Sequence, residues 1–131
     1  MASTQPHYTV ASYAGIETLG RLMFKDRLGL TGLEMSVNEL PAGMSVPFVH
    51  AHKRNEEVYV VMQGTGLFYV DGEEFAIEPG SVVRVSPAGE RCLKAGEAGS
   101  LRYLCIQAEA GSLVQATEND GVMTAAKPSW L

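Results

Sequence analysis

The chain of 131 residues has only two cysteines, Cys92 and Cys105. That is too few for a disulfide framework, so the expected setting is a reducing one, the cytoplasm. No uninterrupted apolar stretch approaches the roughly 20 residues that span a bilayer, which argues against the membrane as a partner. The opening Met1-Ala2-Ser3-Thr4-Gln5-Pro6 has neither the basic nor the apolar region of a secretory signal. Basic residues are few and scattered, ten Lys and Arg against fifteen Asp and Glu. The resulting net charge of −5 argues against nucleic acid and anionic lipid. Helical periodicity is also missing, since no segment before residue 107 carries it over a useful length. There is no internal repeat and no low-complexity tract.

Turn formers and β-formers are what the chain does have. Fourteen glycines and six prolines punctuate it, and 46% of its residues are hydrophobic, enough for a packed core. The length suits a single domain over 1–131 that buries roughly two-thirds of its unfolded surface. The first part, to about Leu22, reads weakly: Tyr8–Tyr13 has β character, and Gly15–Leu19 is a loop or a single helical turn. Leu33, Met35 and Val37 alternate with Glu34, Ser36 and Asn38, as in a half-buried strand. Glu57–Met62 is a strong strand, and Gln63-Gly64-Thr65-Gly66 is a turn or bulge after it. Asp71-Gly72 between two β-rich runs predicts a tight hairpin. Ser81–Val85 is a further strand. Cys92–Lys94 and Leu101–Ile106 read as a hairpin across the loop 96–99. Short strands at even spacing indicate an all-β fold, closed or sandwiched to hide its edges.

The chemistry is concentrated in Pro47–Gly64, P-F-V-H-A-H-K-R-N-E-E-V-Y-V-V-M-Q-G. In extended chain, residues two apart share a face, so His50 and His52 project together while Val49 and Ala51 face away. The polar turn Lys53-Arg54-Asn55 then returns the chain so that a glutamate meets the imidazoles. Two nitrogen donors and a carboxylate form a candidate divalent-metal pocket. Glu57 shares its strand face with Tyr59 and Val61, whereas Glu56 faces solvent or pairs with Lys53. Met44 and Phe48 are candidates for an apolar rim, and Arg84 or Arg91 would bind a carboxylate or phosphate if it pointed inward. His7 and Trp130 lie in the terminal extensions.

Gly43, His50-x-His52, Glu57 and Gly64 resemble the first cupin motif, and Gly80 with Pro87-x-Gly89 resembles the second. The likeness runs from about Gly43 to Ile106. It implies the cupin double-stranded β-helix, a jelly-roll-like conical barrel of two antiparallel sheets. The barrel core would span about 28–107, with N- and C-terminal extensions and a metal site inside the mouth. By that resemblance the metal ligands are His50, His52 and Glu57, with Cys92 at the position where the second motif has a histidine. Two features depart from the pattern: one extra residue separates Gly43 from His50, and Gly96 stands where an asparagine is usual.

Cys92 keeps three readings: a quiet core thiol, a thiolate ligand, or a nucleophile. A Cys92–Cys105 disulfide is not expected in a reducing cell. The resemblance implies a divalent metal (Fe, Mn, Ni, Zn or Cu), a small-molecule ligand or substrate and a homodimer. The activity would be a metal-dependent oxygenase or isomerase reaction. The alternative is a non-catalytic cupin with a metal-free or vestigial site that binds or senses a small molecule.

Overall fold

The computed structural model describes residues 7–18, 20–114 and 119–131. Met1–Pro6 and Leu19, on which two of the expectations above fall, lie outside the described residues. Eight strands follow in chain order: β1 (Arg21–Met23), β2 (Glu34–Leu40), β3 (Asn55–Gln63), β4 (Gly66–Val70), β5 (Glu73–Ile77), β6 (Val82–Val85), β7 (Arg91–Ala95) and β8 (Leu101–Glu109). Among the described residues, one four-residue helix, α1 (Lys25–Leu28), and one 3₁₀ turn over Ile16–Thr18 complete the regular structure. Among the described residues, no helix is long and apolar enough to cross a membrane. Two antiparallel sheets result, one of five strands in the order β1-β2-β8-β3-β6 and one of three in the order β5-β4-β7. The all-β, two-sheet expectation holds.

Local signals account for much of this. Asp71 and Gly72 turn between β4 and β5 with φ of 50° and 90°, the doubly positive geometry that Asp-Gly favours. The register of β3 against β8 shifts between Val61 and Gln63, a bulge just before Gly64. A Cβ at Gly64 would sit 2.0 Å from the Ser100 carbonyl oxygen, so the bulge also needs glycine for close backbone approach.

Three expectations change. Cys92–Lys94 and Leu101–Ile106 do not form a hairpin: β7 pairs with β4 in one sheet and β8 pairs with β2 and β3 in the other. The loop 96–99 carries the chain from sheet to sheet, which places these neighbours in sequence on opposite walls. Tyr8–Tyr13 is not a strand; Thr9 Oγ1 donates to the Leu28 carbonyl, and the Tyr13 ring meets Phe24 edge-on at 5.6 Å. The strand at Leu33–Asn38 is present, but its polar residues Ser36 and Asn38 line the inside of the barrel. Its apolar Met35 and Val37 lie on the outer face beside Ile16 and Phe24. The N-terminal segment therefore covers the strand from outside, and its β1 extends the sheet to Arg21, upstream of residue 28.

The buried core joins the two sheets. Tyr59, Val61, Leu101 and Tyr103 come from the five-stranded sheet, and Phe68, Ile77, Leu93 and Ala95 from the three-stranded one. Tyr59 meets Phe68 edge-on at 4.9 Å across the gap.

Candidate metal centre

The histidine pair lies outside the regular strands. Residues 45–50 run antiparallel along the free edge of β7 through bridges Ser45–Lys94 and His50–Arg91. His50 and Arg91 exchange both backbone hydrogen bonds, and the His52 amide donates to the Pro87 carbonyl at 2.8 Å. Pro47, which has no N–H, interrupts what would otherwise be a fourth strand. The alternation survives: Val49 and Ala51 are exposed, while His50 and His52 turn inward with ring centroids 5.2 Å apart.

Their target is Glu57, 4% exposed at the start of β3. His50, His52 and Glu57 each offer a ligand atom, and these atoms lie within 4.8 Å of one another. The His52 Nε2 atom stands 3.2 Å from Glu57 Oε1, and His50 Nε2 stands 3.7 Å from it. Neither contact has hydrogen-bond geometry, and both His50 Nδ1 and His52 Nε2 are buried with no hydrogen-bond partner. Burial lowers the pKa of His50 despite the opposing charge of Glu57, with His52 and Arg91 acting in the same direction as burial. The imidazole is therefore held neutral, the form that carries a lone pair for a cation.

Glu57 is held from three other directions. Its Oε1 accepts hydrogen bonds from Tyr59 Oη at 2.7 Å and Arg91 Nη1 at 2.7 Å, and its Oε2 accepts one from Cys105 Sγ at 3.2 Å. Burial alone would raise its pKa, but the bonds from Tyr59, Arg91 and Cys105 outweigh burial and leave it lowered. Tyr59 is pushed well above the ordinary phenol range by burial and by its bond to Glu57, so it remains a proton donor. Burial and the Glu57 charge push the Cys105 thiol up to about 12. Arg91 is fully buried; its Nε donates to the Gly89 carbonyl, and its Nη2 donates to those of Ser86 and Pro87. The turn carrying Pro87-x-Gly89 thus satisfies a guanidinium that the barrel has removed from water.

The structure brings His50, His52 and Glu57 together and leaves Cys92 out of the group. On β7, Arg91, Leu93 and Ala95 are buried, so Cys92 and Lys94 face the other way. Cys92 Sγ donates to the Val46 carbonyl at 3.2 Å and lines a groove on the outer side with Leu67 and Tyr69. Both cysteines are free thiols. Arg91 is thus the arginine that points inward and binds a carboxylate. Arg84 lies outside and pairs with Glu56 at 3.2 Å, so Glu56 has a partner other than Lys53. Phe48 and Met44 are both exposed, and the Phe48 ring stands edge-on to His50 at 5.6 Å. The shared strand face places Tyr59 beside Glu57, but the bonds from its hydroxyl and from Cys105 do not follow from that spacing. The strand period on β8, which sets Tyr103, Cys105 and Gln107 on one face, is the signal that finds Cys105.

A cavity of about 320 Å³ opens over this group. One wall carries Val46, Phe48 and Leu93, and the other carries Ser36, Asn38 and Gln107.

Residues 36–107 match the model of the cupin domain. The chain belongs to the cupin family. A crystal structure of a cupin protein from Bacteroides fragilis is 42% identical, covers 92% of this chain and 99% of that one, and superposes with a TM-score of 0.86. An uncharacterised protein of Methanocaldococcus jannaschii is 33% identical over 58 residues, 43% of this cupin. The match spans less than half of that relative, 46% of its length. A predicted oxalate decarboxylase from Thermotoga maritima shares the fold, with 24% identity, a TM-score of 0.53 and coverage of 63% of this chain and 66% of that one.

Proposed function

We propose that this cupin binds one divalent metal through His50, His52 and Glu57 and presents it to a small organic molecule entering the barrel. One observation carries the reading: a nitrogen from each imidazole and a carboxylate oxygen of Glu57, whose pKa is lowered, lie within 4.8 Å of one another, and neither imidazole has its buried nitrogens fully partnered. A cation satisfies all three groups together. Nitrogen and oxygen donors suit Fe, Mn, Ni, Zn or Cu. With Cys92 facing the outer groove, no thiolate biases the choice toward a thiophilic ion.

The metal, when bound, supplies Lewis acidity to a substrate oxygen, the basis of an oxygenase or isomerase reaction. The chain's own residues prepare the site for it. Tyr59, Arg91 and Cys105 fix the Glu57 carboxylate and keep it charged, as outer partners of metal ligands do. Phe48 and Leu93 make that side of the cavity apolar.

A second reading rests on Arg91. Its buried guanidinium already neutralises Glu57 at 2.7 Å, so the carboxylate has a countercharge with no metal present. On that basis the protein is a metal-free cupin that binds a small molecule without converting it. Metal analysis of protein purified without chelator divides the two. The leading reading expects about one metal per chain, a melting temperature lowered by EDTA, and loss of both in His50→Ala. Metal-free protein with EDTA-insensitive stability would establish the second.

The proposal includes a cytoplasmic location and a homodimer. Met62 and Val82, apolar and more than half exposed, support an association of copies. Light scattering at twice the chain mass is the expected result.

A further inference from the structure

The strand register arranges the inner face of the five-stranded sheet in rows. Arg21 of β1 stands beside Asn38, which stands beside Tyr103. In the next row Met23 stands beside Ser36, then Cys105, then Tyr59. Gln107 stands beside Glu57 in the third. All of these residues line the one cavity. Its charged groups are therefore unequally partnered. Glu57 and Arg91 neutralise each other at the base. Arg21 has no carboxylate within ion-pair distance among the described residues, and its charge is felt by Tyr103 within the cavity. It stands exposed at the mouth, three strands across and two rows along from Glu57, about 14 Å in each direction at the usual strand spacing and rise.

We infer that the cavity takes a small carboxylic acid, held by its carboxylate on Arg21, with its apolar body against Phe48 and Leu93 and an oxygen directed toward His50. A cavity of about 320 Å³ lies at the lower end of small-molecule sites, which limits the ligand to a compact acid. Ser36, Asn38 and Gln107 offer hydrogen bonds to a hydroxyl or carbonyl along the way, so 2-hydroxy and 2-oxo acids are the favoured class. An unpaired guanidinium at the rim and an apolar wall behind it distinguish an acid from its neutral amide. The inference deepens the metal reading by naming the ligand class, and rests on that reading only at the histidine pole.

Calorimetric titration of the full chain tests it, with lactate and mandelate set against lactamide and mandelamide, in chelated protein and with added Zn²⁺. The expected result is that the acids bind more tightly than the amides in both forms. Arg21→Gln weakens acid binding roughly tenfold or more, leaves the amides unchanged and keeps the wild-type melting temperature, while Arg21→Lys retains much of the preference. The preference also shrinks as salt rises, because Arg21 is at the mouth. Equal binding of acids and amides, or an acid preference that survives in Arg21→Gln, overturns the inference even in a protein that binds metal. Failure of the metal reading leaves the preference in chelated protein intact.

Discussion

The two sheets line one barrel but present it with opposite chemistries. The three-stranded sheet contributes Ile77, Phe68, Leu93 and Ala95, an apolar face interrupted by one charge, Arg91. The five-stranded sheet adds Val61, Val85 and Leu101 to the same core, but toward the cavity it contributes Ser36, Asn38, Glu57, Tyr59, Tyr103, Cys105 and Gln107, all bearing a polar or sulfur atom. The apolar wall gives a fixed surface, and its single arginine crosses to the one carboxylate of the other wall. A polar interior is affordable here because the polar groups partner one another: Asn38 donates to Ser36, and Asn55 donates to Gln107. The exceptions are two histidine nitrogens, His50 Nδ1 and His52 Nε2, which are buried without a hydrogen-bond partner.

The largest expected effect comes from removing the charge that links the walls. Arg91→Met leaves Glu57 buried with only Tyr59 and Cys105 as donors. Loss of one partner of a buried pair costs about 3–5 kcal/mol, read from urea unfolding. Adding Glu57→Gln to the same chain should recover part of the loss, since no uncompensated charge is then left. If the double variant is no better than the single, the pair is not what joins the sheets.

A smaller effect is expected within the polar wall. Tyr59→Phe removes the 2.7 Å bond to Glu57 Oε1 and leaves the Arg91 bond in place. The cost should be about 1–3 kcal/mol, less than for Arg91→Met. Because Glu57 has a lowered pKa in the fold, its contribution is present above its ordinary value of 4.5 and is lost as pH falls below that. With one donor gone the depression shrinks, so acid unfolding of Tyr59→Phe should begin at a higher pH than in the wild type. An unchanged acid limb would mean that the hydroxyl does not hold the carboxylate.

How much of this was legible in the sequence depended on the range of the signal. Period-2 spacing sets Glu57, Tyr59 and Val61 on one face, and all three are buried. Asp71-Gly72 marked its hairpin because the turn chemistry is local. The i, i+2 rule also set His50 beside His52, although the chain there is an edge segment and not a full strand. The sheet assignment of β7 and β8 was not legible, because a glycine-containing loop serves a hairpin and a crossover equally well. At β7 a one-residue choice of phase decides which side chain enters the barrel. The motif position drew attention to Cys92, yet Leu93 and Ala95 are the apolar residues that must be inside, and the same period brings Arg91 in with them. The partner of Glu56, Arg84, lies 28 residues away on a neighbouring strand, beyond the reach of any local pattern.

The two cysteines provide the smallest perturbation that still separates inside from outside. Cys105 belongs to the polar wall, where its thiol donates to Glu57 Oε2 and is pushed up to about 12 by burial and by the Glu57 charge. Cys92, on the reverse of β7, lines the outer groove. Thiol probes react with the thiolate, so at pH 8 Cys105 should be almost inert in chelated, folded protein. One thiol per chain should then label quickly, and Cys92→Ser should abolish that phase while Cys105→Ser leaves it intact. Both thiols should react once the chain is unfolded. The alkaline limb has a definite sign. A thiol whose folded pKa is raised from 9.0 to about 12 contributes stability below pH 9 that is lost as pH rises through that window. Cys105→Ser should lose part of that slope and Cys92→Ser none of it. Equal labelling rates for the two thiols in folded protein would mean that the wall carrying Glu57 is as open to solvent as the groove behind it.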